Sequence, residues 1–140
     1  MKILIVGNGA RESALALKLK DDSRISKLYF AKGTVTTAEL GQNVYDESVE
    51  GLRDFAIKER IDLTIVGPEA PLVEGIVDEF KKHGLKIFGP EKRAAELEGS
   101  KAFSKKFMQT NNIKTAKAVV FDAYHDAIEY VRNQKFPIVI

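Results

Sequence analysis

The 140-residue sequence has no cysteine, so disulfides, thiolate chemistry and cysteine-based metal sites are excluded. It has only two histidines, His83 and His125, which excludes a histidine-rich metal site; each is read as a helix-surface residue. No metal site is expected. No apolar run approaches the roughly 20 residues that span a bilayer. The N-terminus offers one lysine, a short apolar stretch and then Gly-Asn-Gly, too brief for a secretory signal, so the cytosol is the expected location. Charge of one sign is also scarce. The net charge is +2, and bases alternate with acids except at Lys81-Lys82 and Lys105-Lys106, which read as solvated helix faces. Nucleic acid and membrane are therefore not expected partners. There is no internal repeat and no low-complexity tract.

What is present is an alternation of short apolar runs, glycine or proline turns and helical periods. Ile3-Leu4-Ile5-Val6 has the continuous hydrophobicity of a strand buried on both faces. A helix follows over Arg11 to Lys20, with Ala14, Leu15, Leu17 and Leu19 making it largely apolar. Leu28 to Ala31 and Val44-Tyr45 read as the next strands. Ser48 is placed to cap a helix in which Val49, Leu52, Phe55 and Ala56 share a face. Asp62 to Val66 reads as a strand, Gly67 to Pro71 as a loop, and Leu72 to His83 as a helix with Pro71 at its first position and Gly84 past its end. Lys86-Ile87-Phe88 closes the series at Gly89-Pro90. Such alternation predicts βαβ crossovers and a mainly parallel sheet.

Beyond Gly99 the pattern predicts a helix capped by Ser100 with Phe103, Phe107 and Met108 on one side. A strand over Ala118 to Phe121 and a helix capped by Asp122 follow, then a strand beginning at Pro137-Ile138-Val139-Ile140. Ending inside a strand is the expectation for a truncated chain. Its unpaired edge predicts self-association, although a monomer is the default.

Ligands of an open parallel sheet bind beyond the carboxyl ends of its strands. The loops expected there are Gly7 to Glu12, Lys32 to Thr37, Gly67 to Pro71 and Gly89-Pro90. In the first, glycines permit close backbone approach, the helix start offers N–H groups, and Arg11 supplies a fork of donors for phosphate. Glu12 is a candidate acceptor for sugar hydroxyls or an amine. Two features argue against a dinucleotide: Glu12 occupies the place of the third glycine of the fingerprint, and the second strand ends in Ala31-Lys32-Gly33 with no acid for a ribose. No Gly-Lys-Ser/Thr occurs, so a Walker A loop is absent. A single phosphate on a small sugar fits better. Glu69 sits on a rigid turn at a strand end. Lys101 stands near a helix N-terminus, where a bound phosphate would account for a cation.

Four segments together resemble the phosphoribosylamine–glycine ligases (glycinamide ribonucleotide synthetases) of the ATP-grasp superfamily: Gly7-Asn8-Gly9-Ala10-Arg11-Glu12, Thr64 through Val73, Lys86 through Pro90, and Leu97 through Phe103. The resemblance runs in order over the whole chain. It implies a Rossmann-like pre-ATP-grasp domain over 1–99 that helps hold 5-phosphoribosylamine, and the incomplete start of an ATP-grasp domain over 100–140. Gly7, Asn8, Gly9, Arg11, Glu12, Gly33, Pro68 and Glu69 carry over as candidates for the phosphoribosylamine pocket, and Lys101 as the first lysine contacting ATP.

The implied full-length reaction joins phosphoribosylamine to glycine with ATP and Mg²⁺ (or Mn²⁺), through a glycyl phosphate, in purine synthesis. No catalytic residue is expected in this part, which on its own is expected to be inactive and to bind no cofactor tightly. Two alternatives stand beside this: the N-terminal part of another ATP-grasp ligase, such as a biotin-carboxylase-like or formate-dependent one, and a non-catalytic phosphosugar or nucleotide sensor. The chain departs from the family where glycine usually stands at Ala10 and histidine at Ser13. Its Lys32-Gly33-Thr34-Val35-Thr36-Thr37 replaces a Pro-Gly-Asn-Ala-Gly-Thr loop. Gly33 is kept and the second glycine is Thr36, which leaves Lys32 to replace part of the lost phosphate contacts.

Overall fold

Strand-forming runs that are apolar on both sides need cover on both faces, and the fold is arranged around that need. The computed structural model describes residues 1–140. Its contacts divide the chain into two compact units, Met1–Lys101 and Ala102–Ile140.

In the first unit, β1 (Lys2–Val6), β2 (Lys27–Ala31), β3 (Gln42–Val44), β4 (Leu63–Val66) and β5 (Ile87–Phe88) form one sheet in the order β3-β2-β1-β4-β5. All four pairings are parallel. The strands are joined through α1 (Ala10–Leu19), α2 (Val35–Ala38), α3 (Val49–Glu59), and the pair α4 (Glu69–Glu74) and α5 (Ile76–Lys82); α6 (Lys92–Gly99) follows β5.

Alternation along the strands sorts side chains into two cores. Leu4, Val6, Tyr29, Ala31 and Val66 meet Leu52 and Ala56 of α3, Leu72 of α4, and Ile76, Val77 and Phe80 of α5. On the opposite face Ile3, Ile5, Leu28 and Phe30 meet Ala16 of α1, with Leu19 packed against them. Burial of side chains such as Phe80 and Leu4, each fully enclosed, supplies most of the drive to fold.

Several expectations are corrected. On α1 the inward residues are Glu12 and Ala16, while Leu15 and Leu17 are exposed. Tyr45 lies outside β3 and is exposed. The helix expected from Leu72 to His83 begins at Glu69 and is broken at Gly75, whose φ of +101° ends α4 and starts α5. Pro71 is therefore the third helical residue. The first-turn N–H groups have no intrahelical acceptor, so a proline there forfeits no hydrogen bond. A helix not foreseen, α6, buries Ala95 against α4 and α5. Lys32 to Thr37, read as an open loop, runs into the helical turn α2. Thr34 caps it reciprocally with Thr37: Thr34 N–H donates to Thr37 Oγ1 at 2.7 Å and Thr37 N–H to Thr34 Oγ1 at 3.4 Å.

The second unit holds α7, counted from Lys101 to Thr110, and α8 (Tyr124–Arg132). No residue from 102 to 140 is buried, and Phe103 stacks on Phe107 at 6.4 Å between ring centroids. The strands expected at 118–121 and 137–140 are not formed. Asp122 is not the cap of α8; Ala123 holds that position, with no side-chain hydrogen bond.

Arg53 of α3 reaches Glu79 of α5 at 2.5 Å, bracing the two helices over the first core. The Arg53 hydrogen bond, aided by the charges of His83 and Lys82, holds the Glu79 carboxyl below its ordinary value of 4.5. A depressed carboxyl adds stability at neutral pH that fades as pH falls below that value. Glu79→Gln is therefore expected to lower the thermal midpoint at pH 7, with the gap to the parent closing toward pH 3. A gap constant across that range in a series of thermal melts would show that the bridge does not act this way.

Candidate functional site

The strand order reverses direction at β1, which has β2 on one side and β4 on the other. Loops leaving β1 and β4 at their carboxyl ends turn to opposite sides there and leave a crevice. A cleft of about 530 Å³ lies at this point. Its walls come from the β1 loop (Gly7 to Glu12), the end of β2 (Ala31, Lys32), Glu47 after β3, and the β4 loop with α4 (Pro68 to Pro71, Glu74).

The two central loops are locked together from inside. Glu12 at the third position of α1 turns back and accepts the Gly9 N–H at 2.5 Å, and its side chain is only 4% exposed. It fills space left by glycines: a Cβ at Gly67 would stand 1.8 Å from Glu12 Oε1. An acid at a helix N-terminus also suits the helix dipole. Arg11, one residue earlier, donates from Nη1 to the Gly67 carbonyl and so ties α1 to the end of β4. Glycine at the cap position has no side chain to bond the first turn. The N–H groups of Ala10 and Arg11, both in the cleft wall, thus remain available to an acceptor.

The structure brings Gly7, Asn8, Gly9, Arg11, Glu12, Pro68 and Glu69 together in this cleft. It does not bring Gly33 or Lys101 to it. Gly33 packs behind the wall against Asn43, whose Oδ1 accepts from Thr37 Oγ1 at 2.9 Å and whose Nδ2 donates to Thr34 O at 2.9 Å. That network draws the loop after Lys32 away, so of the expected segment Lys32 to Thr37 only Lys32 lines the cleft. Lys101 is exposed at the first position of α7. Gly89-Pro90 contributes nothing to the wall.

Two charged lining residues, Glu47 and Glu74, are not among those expected from the sequence. Glu47 was within reach of the strand-end rule, since it lies between the Val44 strand and the Ser48 cap. Glu74 was not, because its position depends on α4 starting at Glu69. Lys32 Nζ and Glu47 Oε2 form an ion pair at 2.7 Å. The wall thus carries four carboxylates (Glu12, Glu47, Glu69, Glu74) and two cations (Arg11, Lys32). Such a site can hold a small polar molecule, with acceptors for hydroxyl or amine hydrogens and few places for an anion.

Parallel strands in this order, with a polar cleft at the reversal point, define the Rossmann-like class of α/β domains. Residues 1–98 match the family described as phosphoribosylglycinamide synthetase, N domain, and the chain belongs to that family. It is 51% identical over its whole length to the phosphoribosylamine–glycine ligase of Clostridium acetobutylicum, and 49% identical to that of Escherichia coli strain K12. In each case it covers 34% of the relative, so the chain spans about a third of the length of these curated relatives.

Solved structures agree on the fold. The phosphoribosylamine–glycine ligase of Thermotoga maritima superposes with a TM-score of 0.67 at 24% identity, over 96% of this chain and 31% of that one. N5-carboxyaminoimidazole ribonucleotide synthetase from the same organism gives 0.69 at 17% identity, over 92% and 36%.

If Glu12 is the strut between the loops, Glu12→Ala should reduce the free energy of unfolding in urea by about 2 kcal/mol, the scale of a lost hydrogen bond to a charged group. Glu12→Gln keeps an acceptor and should lose clearly less. Equal losses in the two variants would mean that side-chain volume, not the bond to Gly9, is what matters.

Proposed function

We propose that the cleft is the 5-phosphoribosylamine pocket of a ligase that joins this amine to glycine with ATP. On this reading residues 1–99 are its substrate-binding domain and 100–140 the opening of its ATP-binding domain. The observation that carries the reading is that seven of the eight residues expected for that pocket line one cleft at the strand-order reversal of a family member. The chemistry is compatible: backbone N–H groups at the start of α1 can receive phosphate oxygens, Asn8 can bond hydroxyls, and the Glu69 carboxylate can accept from the amine. Glycine, ATP and Mg²⁺ would be the other participants in the longer enzyme, working in the cytosol. Lys101, at the first position of α7, is the residue proposed to contact ATP.

The test is calorimetric. Titrated into the 140-residue chain, ribose 5-phosphate should bind and ribose should bind at least about tenfold more weakly, the value of one charge-assisted phosphate contact. ATP should not bind tightly, and phosphoribosylamine, glycine and ATP together should release no ADP. Failure of ribose 5-phosphate to bind would overturn the pocket assignment. Tight ATP binding would favour a nucleotide sensor instead.

A further inference from the structure

We propose that Lys32 is the phosphate-binding cation of the cleft, and that Glu47 is an internal anion holding its place until a phosphate displaces it. The proposal rests on reading the cleft as a phosphosugar site.

The cleft is short of cations. Only Arg11 and Lys32 line the cleft, against four carboxylates. A phosphate is best matched here by a cation that can be freed from its present partner. Arg11 is committed as a strut, its Nη1 on the Gly67 carbonyl beside the Glu12 carboxyl. Removing it would leave a backbone acceptor unpaired and loosen the two central loops. Lys32 has no such duty. Its ammonium meets one partner, Glu47, and both side chains are more than half exposed (57% and 52%). Ion pairs so open to water contribute little and exchange easily. A phosphate presents more charge and more acceptor oxygens than a carboxylate, and is the better partner for the same ammonium.

The backbone supports the assignment. Lys32 adopts φ +62°, the left-handed region that a residue with a Cβ seldom occupies. It is fixed there by its N–H, which donates to Val44 O at 3.1 Å. The preceding Ala31 carbonyl accepts the Gly7 N–H at 3.2 Å, so Lys32 is anchored beside the first glycine of the β1 loop. The cation and the free N–H groups at the start of α1 thus border one cleft. The Lys32–Glu47 pair is then a gate on charge: neutral sugars leave it closed, whereas phosphosugars open it.

The test is a set of titrations with ribose 5-phosphate, with ribose as the control. Lys32→Gly removes the charge and also relieves the left-handed backbone of its Cβ, so a loss of binding would not reflect a loss of fold. It should weaken ribose 5-phosphate binding about tenfold and flatten its salt dependence. Glu47→Gln frees the ammonium and should tighten binding, by about threefold, the worth of an exposed pair. The double variant should bind no tighter than Lys32→Gly, and ribose should respond to none of them. If the parent chain binds ribose 5-phosphate and Lys32→Gly does so equally well, or if Glu47→Gln binds more weakly, this inference falls while the pocket reading stands. If the parent does not bind ribose 5-phosphate, both fall.

Discussion

The bond from the Gly9 N–H to the buried Glu12 carboxylate is the constraint on which the site depends. A parallel sheet with its strand order reversed at β1 necessarily parts two loops at that point, and something must decide how far. Here a side chain from α1 reaches into room left by Gly7 and Gly67, and the ring of Pro68 packs against Gly7 beside it. One carboxylate sets the spacing of both loops, and Arg11 reinforces it from outside through the Gly67 carbonyl. The same bond bears on ligand choice. In a dinucleotide fingerprint the third glycine lets helix and strand pack closely beside a pyrophosphate. Glu12 fills that place with negative charge of the protein's own, leaving fewer free donors and a repulsive neighbour for a second phosphate.

The rest of the wall follows the same economy of positive charge. Glu47, Glu69 and Glu74 add acceptors around the opening, and the two cations are each engaged, one by a backbone carbonyl and one by a carboxylate. An electrostatic environment of this kind favours ligands with many hydroxyl or amine hydrogens and a single anionic group. Discrimination then comes from which internal pairs a ligand can replace, since a buried donor or acceptor left unmatched costs more than a matched one contributes.

The sheet was legible in the sequence because its information is local and repeated. Ile3 to Val6 and Leu28 to Ala31 are apolar without alternation, and only burial on both faces accounts for that. Much of the β1 and β4 loops was legible too, since glycine and proline after such runs mark strand ends. What escaped depends on partners distant in sequence. Leu15 and Leu17 raise the apolarity of α1 without facing the sheet; the inward face is set by Ala16 and by the turn-back of Glu12, which no hydrophobic period displays. The Lys32 to Thr37 segment reads as a ligand loop from its strand-end position. The Thr34–Thr37 cap and Asn43 claim its polar groups first, through contacts set by the pairing of β3 with β2.

The second unit carries this contrast furthest. Its helices form where expected, because a helix satisfies its own backbone and needs only one apolar stripe: Phe103 and Phe107 on α7, Ala127, Ile128 and Val131 on α8. Its two expected strands do not form, although Val119, Val120 and Phe121 in one and Ile138, Val139 and Ile140 in the other are good β-formers. A strand is a relation between segments: its N–H and C=O groups lie to the sides and are satisfied only by a neighbour in register. The hydrophobic pattern states what a neighbour would find, not that one is there. Val139 and Ile140 are fully exposed and no residue from 102 to 140 is buried, so the apolar faces of this unit do not meet in a core.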